Sequence, residues 1–302
     1  MSAEVLAEAR RTLPHPIARA VHLVEQAYSS KDRYEAMLNA AEILAATLAL
    51  TSAGLIREVL TAAPGTVQQQ EAITRQLSQL GNAYSRTGPT FGTWTSWLAA
   101  LAPLLERNPE LAPGLLEPLA PQGSEADLPS HLRALKDERN RASHGNKPRT
   151  HEEAALRIED IAGHFNGALL GSRCLGSLPW LMPLSSEYQS LDHSFHVVAH
   201  HVTGNNPDFE RRTFVWSKPT AVRTIYVLTP NGPVSLSPFV ASRFCRQCLQ
   251  HEVCYTYKHD SRSDEVLLKS FASGHEIRDS NLTNELAALP QVGRRGRPRQ
   301  PS

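Results

Sequence analysis

The sequence has almost no excess charge of either sign, few cysteines and no long apolar run. Its 302 residues contain 31 Lys and Arg against 30 Asp and Glu, so no overall basic field indicates binding to nucleic acid. Four cysteines are too few for a disulfide scaffold in a chain of this length. No run of about 18 residues is uninterruptedly apolar, and the N-terminus lacks the pattern of a signal peptide. We therefore expect a cytoplasmic protein that does not interact with a membrane.

Helical patterns extend from the N-terminus to about Leu175. Helices are predicted over 32–60, 67–86, 91–105 and 152–168, and another ends at His144. The first of these has an apolar face formed by Met37, Ala40, Ala41, Leu44, Leu48 and Leu55. The segment 108–127 is rich in Pro, Gly and Glu and is predicted to be an insertion. These helices predict a bundle.

The hydrophobic pattern changes to a period of two from Ser194 onwards. Strands are predicted at 194–202, 213–216, 224–228, 253–257 and 265–271, and Asn231-Gly232 indicates a hairpin. The predicted fold class is therefore α+β. A helical bundle at 1–178 precedes a small antiparallel β domain at 179–280, and a disordered basic tail follows at 281–302.

The segment Arg139–Gly145 closes one of the predicted helices. Asn140 and His144 are four residues apart and share one helix face, and Gly145 supplies the left-handed residue that ends the helix. A histidine beside a fixed cation can act on a phosphodiester. His144 could take a 2′-hydroxyl proton near neutral pH, and Arg139 could stabilise charge on the phosphate. The alternative is that these residues only stabilise the helix macrodipole.

The segment 132–145 resembles the signature helix of the HEPN superfamily, whose members are α-helical domains with an Arg-Asn-x-x-x-His core. Many are metal-independent ribonucleases of toxin–antitoxin, CRISPR and phage-defence systems. The segments 32–42 and 91–94 show a weaker resemblance to the early helices of such proteins. This weaker resemblance also extends over a linked small β domain, at 236–239, 245–248 and 270–276.

This resemblance implies a function and a set of site residues. His144 would be the general base or acid, Arg139 would bind the scissile phosphate, and Asn140 would orient His144 or the RNA substrate. Catalysis would need no cofactor, and two such helices would meet in a homodimer. The protein would act in phage defence or as a toxin, with an antitoxin or defence-system partner. The alternative is a non-catalytic dimerisation or sensing module that recruits a partner.

Other charged residues surround the motif. Arg141, Lys147 and Arg149 could follow the backbone of single-stranded RNA, or they could form an ordinary solvated face. Glu42 lies among apolar residues, where a carboxylate is costly unless it is paired. It could pair with Arg139 inside the bundle, but a boundary position facing water is the favoured interpretation.

The β region contains a candidate structural zinc site. Cys245 and Cys248 have the spacing of half a zinc site, and His251 and Cys254 could complete four ligands if the turn folds back. The alternative is a set of reduced thiols in a β hairpin.

The basic tail contains a further motif. Its segment Arg295-Gly296-Arg297-Pro298 matches the AT-hook core, which places an extended Arg-Gly-Arg in the minor groove of A·T-rich DNA. A single copy predicts only weak contact. The alternative is nonspecific attraction to phosphates.

Overall fold

The computed structural model describes residues 2–62, 65–112, 114–115, 119, 127–260 and 262–290. Within these ranges seven α-helices come first, two antiparallel sheets follow, and a short helix comes after them, which confirms the predicted α+β class. The helices are α1 (Ala3–Thr12), α2 (His15–Gln26), α3 (Ser30–Ala62), α4 (Val67–Tyr84), α5 (Phe91–Arg107), α6 (Leu128–Ser143), α7 (His151–Gly171) and α8 (Thr283–Ala287).

Helix α3 lies at the centre of the bundle and contacts α2, α4, α5, α6 and α7. Its stretch Ser30–Thr61 is long and apolar enough to cross a membrane by composition alone, but 72% of its most apolar window is buried inside the protein. That burial is typical of a core helix. The predicted apolar face is confirmed, since all of its residues are buried: Met37, Ala40, Ala41, Leu44, Leu48 and Leu55.

Side-chain caps determine where α6 and α7 begin, and a glycine determines where α6 ends. The Asp127 side chain accepts a hydrogen bond from the backbone N–H of Ser130 at 2.7 Å, and Thr150 does the same for Glu153 at 3.1 Å. Helix α6 ends because Gly145 adopts the left-handed conformation, with φ at +91°, as the sequence predicted. The turn after α6 is therefore set by its own residues.

The β portion consists of two sheets, where the sequence had predicted one meander. The five-stranded sheet has the order β3-β2-β1-β4-β5, and the four-stranded sheet is a meander of β6 to β9. The strands are β1 (Trp180–Gln189), β2 (Ser194–His201), β3 (Arg211–Trp216), β4 (Tyr226–Thr229), β5 (Gly232–Ser235), β6 (Val240–Cys245), β7 (Gln250–Asp260), β8 (Glu265–Ser270) and β9 (Glu276–Asp279). The predicted hairpin joins β4 to β5, with Thr229 paired to Gly232.

The helices and sheets share one contiguous hydrophobic core. The Trp180 indole on β1 donates a hydrogen bond to the Thr51 hydroxyl on α3 at 3.1 Å. The rings of Trp94 on α5 and Tyr255 on β7 meet edge to face at 6.3 Å. The β portion is therefore packed directly on the bundle that carries the motif.

The prediction of a disordered tail from 281 is wrong for its first ten residues. Leu282, Leu286 and Leu289 are buried at helical spacing around α8, and the Ser237 hydroxyl donates to the Glu285 carboxylate at 2.6 Å. This burial orders the segment. The predicted DNA-contacting residues Arg295 and Arg297 lie outside the described residues.

Candidate active site at the end of helix α6

The three predicted catalytic residues lie at the C-terminal end of α6. Asn140 and His144 are both exposed, and the backbone N–H of His144 donates to the carbonyl oxygen of Asn140 at 3.0 Å. This backbone bond places the two residues one turn apart, as their spacing predicted. The Arg139 side chain, one position earlier, is 38% exposed. An arginine, an amide and an imidazole are thus accessible to a substrate at one helix end.

Arg139 forms a loose ion pair with Glu42 on α3. The guanidinium Nη2 lies 3.7 Å from a carboxylate oxygen of Glu42, whose side chain is 32% exposed. The pair therefore forms, and it does so at the boundary with water that the sequence interpretation favoured for Glu42. An exposed pair of this kind contributes little stability, so the guanidinium could exchange the carboxylate for a phosphate.

A buried polar network lies directly beneath the motif. Arg157 on α7 is only 5% exposed, and its Nη1 donates to Oε1 of Glu138 at 3.1 Å. The Tyr34 hydroxyl on α3 donates to the same oxygen at 2.5 Å. Burial, together with the hydrogen bond to Glu138, raises the pKa of Tyr34 to about 12. These contacts hold the end of α6 against both neighbouring helices.

The same arginine fixes the turn that follows the motif. Arg157 Nη1 donates to the carbonyl oxygen of Asn146 at 2.6 Å, and Nη2 donates to Oδ1 of Asn146 at 3.2 Å. Burial lowers the pKa of Arg157, but hydrogen bonds to Tyr34 and Glu138 outweigh it and keep the pKa above its ordinary value. A permanently charged arginine therefore holds the chain two residues after His144.

This network was not predicted from the sequence, although a signal for it was present. Ala154, Ile161 and Phe165 form the buried face of α7, and Arg157 falls on the same face. An arginine in an apolar helix face requires a buried acceptor. Glu138 is the acidic residue next to the motif in the sequence, and so it was available as a partner.

The predicted RNA-contacting residues are exposed, but two of them have acidic partners. Arg141 lies 3.6 Å from Glu138, and Lys147 lies 2.6 Å from Glu35. The guanidinium of Arg149 makes no ion pair with any residue that the structure describes, while its backbone N–H donates to Glu153 at 2.8 Å.

A cavity of about 240 Å³ lies beside the ion pair of Lys147 and Glu35. It is lined by Lys31, Tyr34, Glu35, Lys147 and Pro148.

The β portion contains a separate cluster of metal-ligating side chains. Nδ1 of His275 lies 3.1 Å from the Cys248 sulfur and 3.6 Å from the Cys245 sulfur. The three ligand atoms all lie within 4.8 Å of one another, so the cluster could hold a metal ion. Two of the four predicted ligands therefore come together, and His275 joins them.

The strand register explains why His251 and Cys254 are not in the cluster. Cys245 pairs with Gln250, so His251, the next residue of β7, points to the opposite face of the sheet. Cys254 is on the same face as Gln250, but it is four residues further along the strand, or about 13 Å away. Both residues therefore lie away from the Cys245 sulfur.

No protein-family model, curated protein or solved structure matches this chain. The geometry of the site and the motif of α6 therefore provide the basis for a functional assignment.

Proposed function

We propose that this protein is a metal-independent endoribonuclease of the HEPN type. The observation that carries the proposal is the exposure of Arg139 and His144 at one end of α6, above a buried network that fixes the turn between α6 and α7. The network fixes the backbone on both sides of the base and the cation, and a reaction without a metal depends on the placement of these groups.

In the proposed reaction His144 removes the proton from the RNA 2′-hydroxyl. The 2′-oxygen attacks the adjacent phosphorus, and the bond from phosphorus to the 5′-oxygen breaks. A protonated histidine returns a proton to the leaving 5′-oxygen, which leaves a 2′,3′-cyclic phosphate and a 5′-hydroxyl. Arg139 stabilises the charge on the phosphate oxygens, and Asn140 orients His144 or the substrate.

We propose that the active form is a homodimer in which two copies of α6 face each other. Two histidines would then be available, one as base and one as acid. The basic side chains of Arg141, Lys147 and Arg149 would bind the RNA backbone on either side. Such an enzyme would be a cytoplasmic effector of phage defence or a toxin system. A structural Zn²⁺ in the β portion is compatible with this function, because cleavage would not use it.

The experiment is cleavage of mixed tRNA and single-stranded RNA in EDTA. Wild type is expected to cleave, and His144→Ala and Arg139→Ala are expected to lose cleavage. His151→Ala is the matched control, because His151 is also exposed and lies at the start of α7, outside the motif. Equal cleavage by wild type and His144→Ala would contradict the proposal.

The alternative is a non-catalytic module that dimerises or senses and recruits a partner. It is favoured by the acidic partners that Arg139, Arg141 and Lys147 already have within the chain. In that case no variant cleaves RNA, and the protein forms a stable complex with a partner that Arg139→Ala leaves intact.

A further inference from the structure

Two hairpin turns meet at one end of the four-stranded sheet. In a meander, alternate turns lie at the same end, so the β6–β7 turn and the β8–β9 turn are neighbours. The first carries Cys245 and Cys248, and the second carries His275. Left-handed residues tighten both turns, with φ at +55° for Leu249 and +71° for Gly274. The topology therefore brings together two sulfurs and an imidazole from opposite ends of a 31-residue stretch, 245–275.

A buried carboxylate lies beside this cluster. Glu252 on β7 is only 5% exposed, and its carboxylate accepts hydrogen bonds from the Ser273 hydroxyl at 2.7 Å and from the Gln250 amide at 3.4 Å. Both partners are uncharged groups, a hydroxyl and an amide.

No lysine or arginine in the described ranges forms an ion pair with Glu252. Arg243 is directly opposite it in the strand register, but the Arg243 guanidinium is bound to Asp279. Burying a carboxylate is costly unless a cation compensates for the lost hydration. Among the described residues, therefore, no cation pairs with Glu252 at the place where two cysteines and a histidine converge.

We propose that Cys245, Cys248 and His275 bind one structural Zn²⁺, and that Glu252 supplies the fourth ligand. The Glu252 carboxylate is not among the atoms that already lie within 4.8 Å of one another, so it turns from the Ser273 hydroxyl towards the ion. Two thiolates and an imidazole match the ligand preference of Zn²⁺ and do not match that of Mg²⁺ or Ca²⁺. Four protein ligands make a closed site, which is the form that structural zinc takes. The ion joins the two turns, and its positive charge compensates for the buried negative charge of the Glu252 carboxylate. This proposal is independent of the ribonuclease function.

The first experiment is elemental analysis of the full-length protein for zinc. Wild type is expected to contain about one Zn²⁺ per chain. Cys248→Ser and His275→Ala are expected to lose it. The matched controls are His251→Ala and Cys254→Ala, which remove the predicted ligands that the register places elsewhere and are expected to keep the metal. Zinc-free wild type, or zinc lost in His251→Ala and kept in His275→Ala, would overturn the proposal.

A second measurement tests Glu252 and does not depend on the folding of the cysteine variants. Wild type loaded with Co²⁺ is expected to show the strong visible bands of a tetrahedral site and a thiolate charge-transfer band. Glu252→Gln keeps the side-chain shape, and it is expected to weaken metal binding by about tenfold or more and to shift the visible bands. Unchanged affinity and bands in Glu252→Gln would exclude Glu252 as the fourth ligand, and six-coordinate bands in wild type would exclude the closed site.

Discussion

Arg157 donates a hydrogen bond of 2.6 Å from inside the bundle to the backbone carbonyl of Asn146, two residues after His144. The same guanidinium nitrogen also donates to Glu138, the residue before Arg139. One buried side chain therefore contacts the chain on both sides of the motif. The geometry of the candidate active site depends on this arginine, although it does not face solvent itself.

Replacing Arg157 with alanine is expected to destabilise the protein strongly. The change removes the buried cation beside the Glu138 carboxylate and leaves only the half-exposed Arg141, at 3.6 Å. Breaking a buried ion pair in this way typically costs about 3–5 kcal/mol. Arg173→Ala is the control, because Arg173 pairs with Glu8 on the surface and its loss should cost at most about 1 kcal/mol. Urea unfolding of both variants is the measurement. Similar free energies of unfolding for the two would show that the network does not hold the bundle together.

Tyr34 is expected to contribute a pH dependence at the alkaline end. Its pKa is raised from 10.0 to about 12 in the folded protein, because burial and the hydrogen bond to Glu138 favour the neutral phenol. The resulting stability is fully present below pH 10 and is lost as the pH rises towards 12. The measurement is the free energy of unfolding of wild type and Tyr34→Phe across this range. The difference between them should shrink as pH rises, and a constant difference would contradict the account.

Gly88 allows the turn between α4 and α5 to approach β7. It has φ at +83°, and a Cβ there would lie 2.7 Å from the carbonyl oxygen of Tyr257. Gly88→Ala should therefore cost about 1–3 kcal/mol, from backbone strain and from the displaced strand. Gly81→Ala is the control, since Gly81 is inside α4 with open space around it, and alanine there should be neutral or stabilising by up to about 1 kcal/mol. Thermal unfolding compares the two, and equal melting temperatures would contradict the close approach.

The C-terminal segment is expected to contribute to stability through α8. Leu286 is buried against the shared core, so Leu286→Ala should cost about 2–5 kcal/mol. The exposed helix position Asn284 provides the comparison, and Asn284→Ala should change stability by less than about 0.5 kcal/mol. Chemical denaturation measures both. No loss of stability in Leu286→Ala would show that the segment does not pack.

Much of the bundle could be predicted because its signals are local. The helical spacing of apolar residues predicts α3, and a single glycine predicts the end of α6. Each of these signals is contained within a few neighbouring residues. Strand β1 was not predicted, because Pro183 and an irregular register between Pro183 and Ser185 interrupt the alternation of apolar and polar residues. The division into two sheets depends on how the strands pack against the helices. The sequence of a single strand does not predict this packing.

The site was partly predictable for the same reason. The spacing of Arg139, Asn140 and His144 is a local feature, and the helix places them as expected. Arg157, which holds the turn after the motif, is 18 residues from Arg139 in the sequence, and His275, which joins the cysteines, is 30 residues from Cys245. Only the fold brings these residues to their sites. His251 is close to the cysteines in sequence, but the alternation of a strand turns it away from them.

We propose that His144 and Arg139 cleave RNA by attack of its own 2′-hydroxyl. The most direct test incubates wild type in EDTA with an RNA oligonucleotide and with the same oligonucleotide fully 2′-O-methylated. Cleavage of the unmodified RNA alone is expected, with 2′,3′-cyclic phosphate and 5′-hydroxyl ends. Cleavage of the methylated strand, or products with 3′-hydroxyl ends, would contradict this proposal.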